Sequence, residues 1–357
     1  MSTARARAAT FCEQFGLRLP ILLAPMAGAC PASLSIAIAN AGGMGACGAL
    51  IMSPAEIRTW VEAFRAESRG PFQVNLWIPD PPPKRDAEDE ARVRAFLGQF
   101  GPPVETSAGD AALVDFDAQC DTVIELAPSV MSSIMGLYAP HTVERFRAKR
   151  IHWFATVTTV RDARAAEAAG ADVIVAQGME AGGHRGAFDP SRAERELVGL
   201  LALVPAIVDA VKVPVVATGG IADARGVAAA LTLGASAVQV GTAFLRTPEA
   251  KLNAAWTDAL GRTLPEHTML TRAFSGRPGR SVANRYALAA AEAGAPEPAP
   301  YPVQRGLTTG MRADAQKSGD IDRMQAWSGQ SAALARVAPA AHLAHDMWAA
   351  AQQLLPR

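Results

Sequence analysis

Two glycine turns and one histidine loop carry most of the chemistry that can be read from this chain. Thr218-Gly219-Gly220 and Gly241-Thr242 each follow a short apolar run, at 213–217 and 237–240. Glycines let the backbone approach a ligand closely, so that N–H groups can face phosphate oxygens. Asp223 stands where it would cap the next helix, whose N-terminus favours an anion. One such turn is ordinary; two in neighbouring units point to a bound phosphate. The stretch 178–186, Gly-Met-Glu-Ala-Gly-Gly-His-Arg-Gly, sets His184 among glycines. An imidazole there can act near neutral pH as an acid, a base or a donor to an oxyanion. A surface histidine without a role is the alternative. Glu180 and Arg185 beside it read as solvated charges. Asn75 and Gln177 put amides near the ends of apolar runs, where they need partners. A planar ligand with carbonyl and ring N–H edges, such as an isoalloxazine, would supply them, as would a neighbouring loop. Pro25-Met26-Ala27-Gly28 would form a flat floor of small residues.

These residues need a scaffold, and the hydrophobic pattern supplies one. Short apolar runs alternate with alanine-rich helical segments, as in a parallel sheet wrapped by helices. Strands are expected at 21–24, 44–50, 72–77, 122–126, 151–155, 172–176, 213–217 and 237–240. Helices are expected at 33–41, from Ser53-Pro54 onward, and at 86–100, 159–169, 197–211 and 223–233. Eight strands are the number that closes a (β/α)8 TIM barrel, an α/β fold whose active sites sit where the strands end. An internal echo supports repeated units: Asp162-Ala163-Arg164 with the strand ending Gln177-Gly178, and Asp223-Ala224-Arg225 with the strand ending at Gln239-Val240-Gly241. The expected organisation is a barrel over 1–248 and a segment over 249–357, completing or covering the active-site mouth. After Pro248 the strand pattern stops, leaving amphipathic helices and loops without a core of their own.

Composition narrows the partners. Lysine plus arginine equals aspartate plus glutamate at 34 each in 357 residues. No basic excess suggests nucleic acid or an anionic membrane. The four scattered cysteines form no Cys-x-x-Cys pair and read as small buried hydrophobes. His342 and His345 lack the carboxylate of a metal motif, so no metal is expected. No apolar run is long enough to span a bilayer or to act as a secretory signal. The expectation is a cytoplasmic enzyme taking a small molecule, with a homodimer allowed.

Leu23-Ala24-Pro25-Met26-Ala27-Gly28, Gly42-Gly43-Met44-Gly45, Asn75-Leu76, the 176–186 loop, 217–222 and Gln239-Val240-Gly241-Thr242 together resemble the nitronate monooxygenases, formerly 2-nitropropane dioxygenases. Trp327-Ser328-Gly329-Gln330 resembles a further family element. The resemblance implies a barrel that binds FMN through Pro25, Met26, Ala27, Asn75, Gln177, Gly182, Gly183, Gly219, Gly220, Gln239, Val240, Gly241 and Thr242. It implies that His184 is the catalytic residue, taking a substrate α-proton or holding the nitro group. The implied activity is oxidation of alkyl nitronates, and of nitroalkanes as a further class, by O2 to a carbonyl compound and nitrite.

Two departures bear on the substrate pocket. Where typical members carry Ser-Phe-His-Phe-Gly, this chain has Ser132-Ser133-Ile134-Met135-Gly136, so Ile134 replaces an imidazole. Tyr301 is retained, but Gln304, Arg305 and Thr309 stand where the family often brings further tyrosines and a lysine. Two other enzyme readings stay open. One is an FMN-dependent NAD(P)H:quinone or enoyl reductase of the same superfamily. The other is a non-redox barrel isomerase or lyase whose glycine turns hold a substrate's own phosphate.

Overall fold

The structure, a computed structural model, describes residues 3–110 and 112–356. Met1 and Arg357, the outer ends of the two expected units, lie outside the described residues. In chain order the elements are α1 (Ala4–Phe15), β1 (Ile21–Leu23), α2 (Ala32–Ala41), β2 (Gly45–Gly48), α3 (Pro54–Glu67), β3 (Phe72–Trp77), α4 (Ala87–Leu97) and α5 (Phe116–Leu126). Then come β4 (Val130–Ile134), α6 (Pro140–Ala148), β5 (His152–Val157), α7 (Val160–Ala168), β6 (Val173–Gln177), β7 (Gly183–His184), α8 (Leu200–Val208), β8 (Val215–Thr218), α9 (Ala224–Thr232) and β9 (Ala237–Val240). The remainder is α10 (Ala254–Arg262), β10 (Thr268–Thr271), β11 (Gly279–Val282), α11 (Arg285–Ala289), α12 (Val303–Leu307), α13 (Thr309–Ser318) and α14 (Ala340–Leu354).

Runs rich in Val, Ile, Leu and Ala are buried on both faces, which is what a parallel sheet wrapped by helices requires. Eight strands pair in the order β1-β9-β8-β6-β5-β4-β3-β2, every ladder parallel. A bridge from Leu22 to Met44 joins β1 to β2 and closes the ring. The fold is a (β/α)8 barrel, as the eight apolar runs implied. Helix starts follow their caps: Ser53 and Glu56 form a reciprocal capping box on α3, and Asp223 caps α9. At the amino-terminal end of the barrel, Phe11 and Phe15 of α1 pack on Leu22, Phe154 and Val175. That plug helix has no counterpart among the elements expected from the sequence.

One strand was misassigned. Residues 122–126 form the last turns of α5, not the fourth strand, which is Val130–Ile134. The β-branched pair Thr122-Val123 suggested a strand, but Cys120, Val123 and Ile124 lie on one helical face and are buried. Serines 132 and 133 disguised the true strand. Their hydroxyls are satisfied inside the barrel, Ser132 by Asn75 Nδ2 at 3.1 Å and Ser133 by Trp153 Nε1 at 2.9 Å.

The segment after Pro248 also differs from expectation. It contains strands: β10 and β11 pair antiparallel, and β11 continues the sheet onto β7. It has a core as well, in which Phe274, Tyr286, Leu307 and Met311 pack with Val93 and Leu97 of α4. The last helix, α14, returns to the barrel and lies between α9 and α2. It thereby takes the place of the helix that should follow β9, so the intervening residues are inserted within the eighth βα unit.

Candidate active site

A cavity of about 250 Å3 lies at the carboxyl ends of the barrel strands. Every residue expected at the cofactor, the substrate or the reaction lines it, with one exception. Val240 is 1% exposed inside the barrel wall, where its carbonyl accepts the Ala24 N–H at 2.9 Å. The cavity also has lining from the inserted segment: Ser275, Tyr301, Arg305, Arg312, Gln325, Trp327, Gly329 and Ser331.

One wall is made of backbone. Gly219 and Gly220 have φ of 117° and 67°, a region that disfavours other residues. A Cβ on Gly219 would lie 3.1 Å from the Ala181 nitrogen. Behind this wall runs a strap from Trp327 to Ser331. Ser331 Oγ donates to the Gly220 carbonyl at 2.5 Å, and the Gly329 N–H donates to Thr242 Oγ1 at 3.1 Å. The Gln330 N–H donates to the Glu180 carbonyl at 3.0 Å. The strap thus ties both glycine turns to the histidine loop. It passes so close that a Cβ on Gly182 would lie 2.5 Å from the Gly329 nitrogen.

The histidine loop is held by side chains expected elsewhere. Gln177 donates from Nε2 to the His184 carbonyl at 3.0 Å and accepts the Gly186 N–H at 2.8 Å on Oε1. A neighbouring loop therefore occupies both ends of that amide. Asn75 keeps its Oδ1 without a protein partner among the described residues. Glu180 and Arg185 are not plain solvated charges. The Glu180 carboxylate accepts the Leu200 N–H at 2.8 and 3.1 Å and so caps α8. Arg185 is 2% exposed and donates from Nη1 to the Gly178 carbonyl at 2.8 Å. Burial lowers its pKa to about 10. The loop packs inward because β7 pairs with β11, setting His184 opposite Gly279.

His184 itself is half-buried at the cavity. Its Nε2 lies 2.7 Å from Ser275 Oγ, and its ring sits between Trp77 and Trp327, with centroids at 4.7 and 4.8 Å. Burial first, then the charges of Arg277, Arg305 and Arg312, push its pKa down to about 3. The imidazole is therefore neutral at physiological pH, which corrects the expectation of a group titrating near neutrality.

The wall across the barrel is made of side chains. β3 and β4 lie opposite β8 and β9 in the ring, and Trp77 and Ile134 end those two strands. Trp77 stacks on Tyr301 with centroids 4.9 Å apart and planes 13° from parallel. Trp77 Nε1 and Tyr301 OH are both buried without a hydrogen-bond partner. Burial pushes the Tyr301 phenol up to about 12. Arg277 lies over the Trp77 ring and pairs with Asp80 at 2.7 Å. Arg312 donates to Thr308 Oγ1, the Arg305 carbonyl and Gln325 Oε1, at 3.0, 2.8 and 3.0 Å. Of the positions that depart from the family pattern, Gln304 is buried and donates to the Ala273 carbonyl, Thr309 is exposed, and Arg305 lines the cavity. The cavity lining contains no aspartate or glutamate.

Trp77, Ser275, Arg312 and Gln325 were not foreseen from sequence. Trp77 alone carried a signal, as an indole ending an expected strand. The others arrive from the inserted hairpin and helices, at separations that no motif marks.

The profile of the nitronate monooxygenase family matches residues 10–349. A nitronate monooxygenase of Pseudomonas aeruginosa is 38% identical over 342 residues, covering 93% of this chain and 96% of that one. A second, from Paraburkholderia phytofirmans, is 36% identical over 334 residues, with 92% and 91% covered. Among solved structures, nitroalkane oxidase from Streptomyces ansochromogenes superposes with a TM-score of 0.86 at 34% identity, covering 96% of this chain and 98% of that one. Among the described residues no helix is long and apolar enough to cross a membrane, and no cluster of potential metal ligands occurs.

Proposed function

The chain belongs to the nitronate monooxygenase family, and from that premise we infer that it oxidises alkyl nitronates with O2 to a carbonyl compound and nitrite, using FMN. One observation carries the reading: a backbone wall of left-handed glycines faces, across one cavity, a cationic and aromatic wall free of carboxylates, with His184 between them.

The residues present fit the cofactor. Gly219 and Gly220 leave open a cradle that a Cβ would fill, and no side-chain charge competes for the phosphate there. The N–H groups around Gly219, Gly220, Gly241 and Thr242 would hold the phosphate, while Pro25, Met26 and Ala27 support the ring. The free Oδ1 of Asn75 and the backbone of Gly182 and Gly183 suit its polar edge. Val240 serves as strand rather than as contact. Bound there, the flavin supplies the electron-accepting ring that the chain lacks.

The chain's own contribution is selection and placement of the anion. Arg305 and Arg312 make the cavity favourable to a negatively charged substrate. Trp77 Nε1 and Tyr301 OH are donors awaiting acceptors, as nitronate oxygens would be. His184, neutral and tied to Ser275, can accept or donate one hydrogen bond but is a weak base. Taking an α-proton from a neutral nitroalkane is thus disfavoured, and preformed nitronates are the better substrates. Ile134 makes that side apolar, suiting an alkyl chain.

The test is anaerobic mixing of the purified yellow protein with a nitronate, then with NADPH, followed by oxygen uptake. Bleaching and uptake are expected with the nitronate alone. Bleaching by NADPH alone, with turnover of a quinone, would establish the reductase reading instead. A colourless protein that takes up no FMN would remove both.

A further inference from the structure

The wall opposite the glycine turns holds more positive charge than one nitronate uses. Arg277 is neutralised by Asp80. Arg312 is fixed by three acceptors, none of them charged. Arg305 is different: it lines the cavity, and among the described residues its guanidinium has no hydrogen bond, no ion pair and no aromatic ring beneath it. A guanidinium left this way in a half-buried wall is costly unless a ligand completes it. The glycine turns lie across the barrel, so the cofactor phosphate does not serve as its counter-ion. The cavity lining offers no carboxylate of its own.

We propose that Arg305 is a specificity-determining residue that reads a carboxylate at the far end of the nitronate substrate. The proposal rests on the nitronate-oxidising reading and names the substrate class within it. The nitronate lies against His184, Trp77 Nε1 and Tyr301 OH, and the alkyl chain runs along Ile134. The carboxylate then meets the free fork of Arg305, whose planar donors match its two oxygens. Arg312 is the positioning residue. Its hold on the Arg305 carbonyl fixes the end of α12, and its charge reinforces the site without being available for pairing. A phosphate would need more than the one free guanidinium that the wall provides.

The experiment compares kcat/KM for the nitronates of 4-nitrobutanoate and 1-nitropentane, similar in length but with and without the carboxylate. The wild-type protein is expected to favour the first by roughly tenfold or more, mostly through KM, as the loss of a charged hydrogen bond implies. In Arg305→Gln that ratio is expected to collapse towards one, and Arg305→Lys to recover part of it. Pentanoate, which cannot react, should bind the flavin-loaded wild-type protein by calorimetry and bind Arg305→Gln at least about tenfold more weakly. An equal fall for both nitronates, or a wild-type ratio near one, overturns the proposal, because Arg305 would then serve the nitronate head or nothing. If neither nitronate is oxidised, the reaction reading fails. Pentanoate binding still decides whether Arg305 reads a carboxylate.

Discussion

The two walls of the cavity are built on different principles. On the β8–β9 side the ligand meets peptide groups whose geometry is set by Gly219 and Gly220, with the 327–331 strap bracing them from behind. On the β3–β4 side it meets Trp77, Tyr301 and Arg305, side chains delivered by a strand end and by the inserted segment. A backbone wall tolerates little change, because any side chain at its glycines collides or strains. A side-chain wall can be rewritten residue by residue while the barrel stays the same. The difference teaches where a shared cofactor and a private substrate can coexist in one cavity.

The strongest way to break this contrast is Gly219→Val. At φ 117°, and with a Cβ 3.1 Å from the Ala181 nitrogen, a β-branched side chain is both strained and obstructed. The variant should purify nearly colourless, with FMN affinity lowered by roughly a hundredfold or more, given strain of about 1–3 kcal/mol together with lost phosphate contacts. A fluorescence titration with FMN measures this. Retention of normal affinity would mean that the phosphate lies elsewhere.

A smaller effect sharpens the account of the ring between the walls. His184 has a folded pKa of about 3 against about 6.5 in an unfolded chain. Above pH 6.5 both states carry it neutral, and its effect on stability is constant. As pH falls below 6.5 the unfolded chain takes up a proton that the folded one refuses, so stability is lost, by at most about 1.4 kcal/mol per pH unit. Urea midpoints at pH 7.5 and 5.5 should therefore diverge more for wild type than for His184→Gln. Equal divergence would show that the imidazole is protonated readily in place.

The smallest expected effect lies on the backbone side. Glu180→Ala removes the carboxylate that accepts the Leu200 N–H, and should cost about 1 kcal/mol, the usual worth of a helix cap. Thermal melting reads this, and flavin content should hardly move. A large loss of flavin would mean that the carboxylate, rather than the loop backbone, braces Gly220.

The contrast also explains what was legible in the sequence. The barrel could be counted because buried parallel strands are continuous apolar runs, and the glycine wall could be read because turns with positive φ select glycine. The fourth strand escaped because Ser132 and Ser133 find partners inside the barrel, and α5 imitated it with β-branched residues. Gln177 was correctly placed at its strand end, but its amide is occupied by the Gly186 and His184 backbone, a loop contact no local pattern announces. Arg185 looked solvated because charge usually is. Its burial depends on the pairing of β7 with β11, nearly a hundred residues apart. The cationic wall was hidden for the same reason: its parts meet only after the inserted segment has folded.

The placement of α14 has a consequence of a different kind. Because the final helix closes the ring beside α2 and α9, the segment bearing Tyr301, Arg305 and Trp327 is a loop with two anchored ends rather than an appended tail. Such a cassette can be exchanged for one of another length without touching the sheet, since loop closure grows only slowly more unfavourable with length. Deleting the last turns of the chain, by contrast, would unmoor the substrate wall from a distance, by opening the barrel's outer ring at a point far from any residue that meets the ligand.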